Sequence, residues 1–103
     1  MKRALRHQKF ERDLEEAADY YLAEAGIDTS LRFVDAVEAL VARLVRNPGL
    51  GSSHYADESN PGLRSFALKG FPYVVFFART TDHVMFWRLL HGERDIPSHL
   101  RDG

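Results

Sequence analysis

The stretch LRSFALKGFPYVVFFARTTDHVMFWRLLH, Leu63 to His91, decides the fold. Aromatic and β-branched residues fill three runs, Leu63–Lys69, Tyr73–Thr80 and His83–His91, and turn signals at Gly70-Phe71-Pro72 and Thr81-Asp82 separate them. Connections this short join only antiparallel neighbours, so the reading is a three-stranded meander. Two-residue turns at Gly70-Phe71 and Thr81-Asp82 would pair Arg64 with Phe77, Phe66 with Val75, Val75 with Arg88, and Phe77 with Phe86. One face then carries Ala67, Val74, Phe76, Ala78, Met85, Trp87 and Leu89, apolar enough to lie under helices. The other carries Arg64, Phe66, Tyr73, Phe77, Arg79, Phe86, Arg88 and Leu90. Large rings interleaved with three arginines suit a docking face better than a solvent face. The competing reading has residues 51–62 and the tail covering those rings, and a single bulge would reassign half of the residues.

Upstream the period changes. Residues 2–7 read as a short first strand. From Gln8 to Ala25, Phe10, Leu14, Ala17, Ala18, Tyr21, Leu22 and Ala25 recur every three or four residues, with acids opposite, which predicts an amphipathic helix ending at Gly26. Asp28 is placed to cap a second helix whose stripe is Leu31, Val34, Val37, Leu40, Val41, Leu44 and Val45. Arg43 and Arg46 complement its C-terminal dipole and Pro48 ends it. Two or three residues between the helices make them an antiparallel hairpin. Residues 51–62 form one long polar loop. The expected architecture is α+β: an N-terminal strand, then an antiparallel helical hairpin packed on one face of a C-terminal three-stranded antiparallel meander, all in one domain, 1–103.

Composition narrows the function. Fourteen Lys and Arg against fifteen Asp and Glu leave a net charge of -1, which argues against broad nucleic-acid binding. No cysteine is present, so disulfides and thiolate metal sites are excluded and a reducing compartment fits. The basic N-terminus never reaches an apolar core of a signal peptide, and Tyr73–Ala78 is too short to cross a bilayer, so a cytoplasmic protein without membrane contact is expected. Phosphate-binding glycine loops, HExxH, GxSxG and paired CxxC are all missing, and no cofactor or metal is indicated. The five histidines are scattered. Only His91, before Gly92-Glu93-Arg94-Asp95, reads as an acid–base candidate, and capping the sheet is an equal alternative for it.

LRSFALKGFPYVVFF followed by VMFWRLLHGERDIPSHL resembles the RelE/ParE superfamily of bacterial type II toxins. Asp13-Leu14 with Tyr20, the run RFVDAVEAL and NPGLGS extend the likeness over nearly the whole chain, and Arg88-Leu89-Leu90-His91-Gly92 with Arg94-Asp95 is its most specific part. It looks more like the ParE branch. That resemblance implies a poison of DNA gyrase, neutralised in a hetero-oligomer by a cognate antitoxin with an acidic or amphipathic C-terminal segment, and touching operator DNA only through that antitoxin. On this reading no residue is catalytic. Arg64, Phe66, Tyr73, Phe77, Arg79, Phe86 and Arg88 are the expected antitoxin-binding residues, and His91, Arg94 and Asp95 the expected target-binding ones.

The RelE branch implies an alternative, a ribosome-dependent mRNA endoribonuclease. It needs a base, an acid and cations around a phosphate, and Arg64, Arg88, His91 and Arg94 are its candidates. An odd separation along a strand, however, turns His91 away from Arg88. A third possibility is an interaction domain on the same scaffold whose toxicity has decayed.

Overall fold

The computed structural model describes residues 2–94 and Ile96. Strand β1 (Arg3–Arg6) leads into α1 (Gln8–Ala25) and α2 (Ile27–Arg46), and a single 3-10 turn, Pro48–Leu50, closes the helical part. Strands β2 (Arg64–Ala67), β3 (Tyr73–Arg79) and β4 (His83–His91) follow. The sheet order is β1-β4-β3-β2; the meander is antiparallel, while β1 lies parallel to β4 after the helical crossover. The expected α+β architecture is the observed one.

Local chemistry explains most boundaries. His7 caps α1, its Nδ1 accepting from the Lys9 amide at 3.0 Å. Gly26 alone separates the helices at φ 92°, a conformation open to glycine and strained for other residues. Asp28 is therefore not the cap; it lies inside the first turn of α2, and no side chain caps that helix. Ser30 instead ties the hairpin, donating its hydroxyl to the Ala18 carbonyl at 2.7 Å. The stripe of α2 runs through Phe33, Val37, Leu40, Val41 and Leu44, and Leu31 is exposed, as is Leu22 on α1. No helix among the described residues is long and apolar enough to cross a membrane.

Along β2, β3 and β4 as far as Phe86 the two sheet faces are the reverse of the expectation, whereas Leu89 lies under the hairpin and Leu90 on the other side, as expected. Phe77 and Phe86 are fully buried and Tyr73 nearly so, packed with Val75, Val84 and Leu89 against Phe10, Leu14, Phe33, Val37 and Leu44 of the hairpin. Phe76 instead points to the other side, where Leu63, Tyr55, Ile96 and Leu90 surround it. Two causes combine. Both faces are covered, so the polar alternation that distinguishes them in a half-solvated sheet is absent. A β-bulge also intervenes: Phe77 pairs with Phe86 but Phe76 pairs with Arg88, leaving Trp87 as the extra residue. Val75 consequently faces Leu89 rather than Arg88.

Candidate functional site at the free edge of β4

β1 ends at Arg6, opposite Phe86, and the His7 amide makes the last bond across, to the Phe86 carbonyl at 2.9 Å. The chain then turns into α1, and β4 from Trp87 onward has no strand on that side. A carboxylate takes the place of a strand. Asp13 of α1 accepts from Arg88 Nε at 2.7 Å, from Arg88 Nη2 at 3.0 Å and from the Leu89 amide at 3.0 Å. Phe10, Leu14 and Ala17 press α1 onto the sheet and so fix where Asp13 stands. The bulge at Trp87 turns Arg88 and Leu89 toward it. Bidentate, charge-assisted geometry of this kind is both strong and directional.

A cleft lies on each side of this edge. The larger, about 300 Å³, sits between β4 and the loop and is lined by His7, Lys9, Tyr55, Phe76, Trp87 and Arg88, among others. The His7 and Trp87 rings stand 5.3 Å apart across its mouth, and Trp87 is 37% exposed. The smaller, about 150 Å³, joins Asp13, Glu16, Tyr20, Tyr73, Leu89 and Arg94. His91 closes β4 beside it, its ring 5.4 Å from Tyr73 and its Nδ1 accepting from the Glu93 and Arg94 amides at 3.2 and 3.3 Å. Acceptance at Nδ1 leaves Nε2 as the proton-bearing nitrogen of the neutral ring. Burial raises the Tyr21 phenol above its ordinary pKa, helped by Tyr20 and opposed by the Arg94 cation.

By register Arg64, Phe66, Tyr73, Phe77, Arg79 and Phe86 share a face as expected, but it is the face that the hairpin covers, and Arg88 leaves it at the bulge. Tyr73, Phe77 and Phe86 are core. Phe66 packs at the margin of that core with the Arg43 guanidinium 5.4 Å over its ring. Arg64 donates to the Gly51 carbonyl at 3.0 Å, Arg79 is exposed at the end of β3, and Arg88 turns to Asp13. Of the expected target-binding residues, His91 and Arg94 meet at one end of β4, and Asp95 lies outside the described residues. Asp13, His7, Lys9 and Trp87 were not singled out as site residues. A carboxylate at the border of the apolar stripe, between Phe10 and Leu14, was the available signal for Asp13. Among the described residues no group of three His, Asp or Glu could hold a metal ion.

Residues 5–96 match the family model described as the ParE toxin of the type II toxin-antitoxin system, parDE. The chain belongs to the ParE toxin family. A chain from the structure titled "Chromosomal ParDE TA system from P. aeruginosa" superposes with a TM-score of 0.76 at 25% identity, covering 90% of this chain and 98% of that one. No significant match occurs among curated proteins. As a ParE-family chain the molecule is the toxin of a type II system, and an antitoxin partner goes with that membership.

Proposed function

We propose that this ParE-family toxin arrests growth by inhibiting DNA gyrase and that the antitoxin encoded beside it restores growth by forming a hetero-oligomer with it in the cytoplasm. Operator DNA is reached only through the antitoxin. The family match over residues 5–96 carries this reading. The free edge of β4, with Arg88, His91 and Arg94, is the target-directed surface. It offers the His91 ring and the Arg94 cation at the end of a strand that, among the described residues, β1 leaves without a strand partner.

The ribonuclease alternative needs a base, an acid and cations around one phosphate. Arg64 sits opposite Phe77 and His91 opposite Tyr73, which puts about 13 Å of strand between them at the usual rise per residue. Arg88 is engaged by Asp13, and His91 Nδ1 by two amides. These positions favour a binding protein over a nuclease.

Expression of the toxin with and without its antitoxin, followed by supercoiling and translation assays, tests the proposal. Growth arrest relieved by the partner, inhibited supercoiling and intact message are expected. Rapid message cleavage on the ribosome with normal gyrase would replace it with the nuclease reading, and unaffected growth with a decayed domain.

A further inference from the structure

The larger cleft beside β4 exists because β1 stops opposite Phe86 and leaves Trp87 without a strand neighbour on that side. Across from it the loop after α2 returns over the sheet, where the Tyr55 ring meets Phe76 edge-on at 5.3 Å. The enclosed volume, about 300 Å³, is at the lower bound of pockets that take a small ligand. Phe76 and Leu63, both buried, form its apolar lining. Trp87, the residue that the bulge leaves unpaired, is more than a third exposed at the mouth.

The polar groups of the cleft divide by charge. Lys9 belongs to α1 and makes no ion pair among the described residues. Arg88 is committed to Asp13, which leaves Lys9 as the cation the cleft offers. His7 adds a donor: its Nδ1 is spent on the Lys9 amide, so Nε2 carries the proton of the neutral ring. Asp57 and Asn60 belong to the loop. One oxygen of Asp57 accepts from the Asn60 backbone amide at 2.9 Å; its second oxygen and the Asn60 side-chain amide have no partner among the described residues.

We infer that this cleft binds one nucleotide, its base stacked on Trp87 beside Tyr55 and Phe76, its phosphate at Lys9 and His7, and an amino-bearing base edge at Asp57 and Asn60. Aromatic rings hold any base through its π-face, and a cation beside them takes the phosphate. Asp57 is an acceptor only, so it repels phosphate and receives an exocyclic amino group, which fixes the direction of the ligand. The volume suits a single unit and Lys9 a single phosphate, so a net charge of -1 is no obstacle; that charge argues against a continuous backbone track. Binding without cleavage is expected, because neither Arg64 nor His91 lines the cleft. The inference stands beside the gyrase reading and does not depend on it.

The indole N–H resonance of Trp87, the single tryptophan of the chain, reports on the cleft directly. In the full-length toxin it should shift saturably on titration with guanosine 5′-monophosphate. Guanosine and inorganic phosphate should each bind at least about tenfold more weakly, since each keeps only part of the contacts. Lys9→Glu should weaken binding of the monophosphate more than about tenfold and Asp57→Ala several-fold, while Lys9→Arg should retain it. All three should melt within a few degrees of the parent, because both positions are exposed. A single-stranded tetranucleotide separates the two sources of this ligand. Tighter binding than the monophosphate makes the site one step along a strand, and equal or weaker binding makes it a site for the free nucleotide. No saturable shift with either ligand overturns the inference, as does unchanged affinity in Lys9→Glu and Asp57→Ala. An equal shift with benzoate also overturns it, by reducing the cleft to a slot for any aromatic anion. Neither gyrase nor antitoxin enters the titration, so failure of the cleft and failure of the gyrase reading are told apart.

Discussion

Asp13→Ala should cost this protein about 3 kcal/mol, a large share of the roughly 5–15 kcal/mol that holds a domain of this size together. The carboxylate has three donors, two from Arg88 and one from the Leu89 amide, all between 2.7 and 3.0 Å. Breaking a fully buried ion pair costs about 3–5 kcal/mol and an exposed one about 0–1 kcal/mol. Side-chain exposures of 12% for Asp13 and 21% for Arg88 put this pair nearer the buried limit, with some rehydration of the guanidinium, and suggest about 2 kcal/mol. The Leu89 amide, stripped of its acceptor beside a buried side chain, adds about 1 kcal/mol. For a domain of about 100 residues the sum corresponds to a fall in melting temperature of roughly 12–24 °C. Urea unfolding of Asp13→Ala, Arg88→Met and the double variant measures both the loss and the coupling, which should exceed about 1.5 kcal/mol. A loss under about 1 kcal/mol with no coupling would mean a screened surface pair, and the account of the β4 edge would be wrong.

Phe77→Ala should cost about 3–5 kcal/mol, because the ring is fully buried, whereas Arg79→Ala should stay within about 0.5 kcal/mol. Equal effects in chemical denaturation would contradict the burial of the Phe77 ring beneath the hairpin. Gly51→Ala should destabilise by about 1–3 kcal/mol, since its Cβ would lie 2.6 Å from Phe77 Cζ and 3.0 Å from Arg64 Cβ. A variant as stable as the parent would show that this loop can shift off the ring. Tyr21 is held above the free phenol value near 10, so its neutral form is favoured by folding. Its contribution to stability is complete below that free value and is lost as pH rises through the higher folded one. Melting temperatures across the alkaline range should therefore fall less steeply in Tyr21→Phe, and parallel curves would refute the assignment.

The element order was legible in the sequence because each element obeys its own periodicity. Phe10, Leu14 and Ala17 recur at helical spacing, Tyr73 to Arg79 forms a β-rich run, and Gly26 ends a helix where a positive φ is needed. The pairings of Arg64 with Phe77 and Phe66 with Val75 follow from turn length alone and are observed. The likeness to the toxin superfamily was carried by short runs of residues, and those too are properties of the chain in one dimension.

The sheet faces and the site belong to the tertiary structure. Period-two patterning separates two faces only when one of them meets water, and here the hairpin covers one and Tyr55, Leu63 and Ile96 the other. One extra residue in β4, Trp87, swaps the faces of the residues beyond it, so Leu89 and Leu90 lie where regular alternation put them while Phe86 does not. Nothing in its local sequence distinguishes a bulge from regular strand. Asp13 and Arg88 lie 75 residues apart and meet only because α1 packs beside a strand that β1 leaves half covered. Local spacing thus determined which helices and strands form. Which groups remain at the surface for a partner was decided by packing, because burial is a property of what an element rests against, and a sequence does not state its own neighbours.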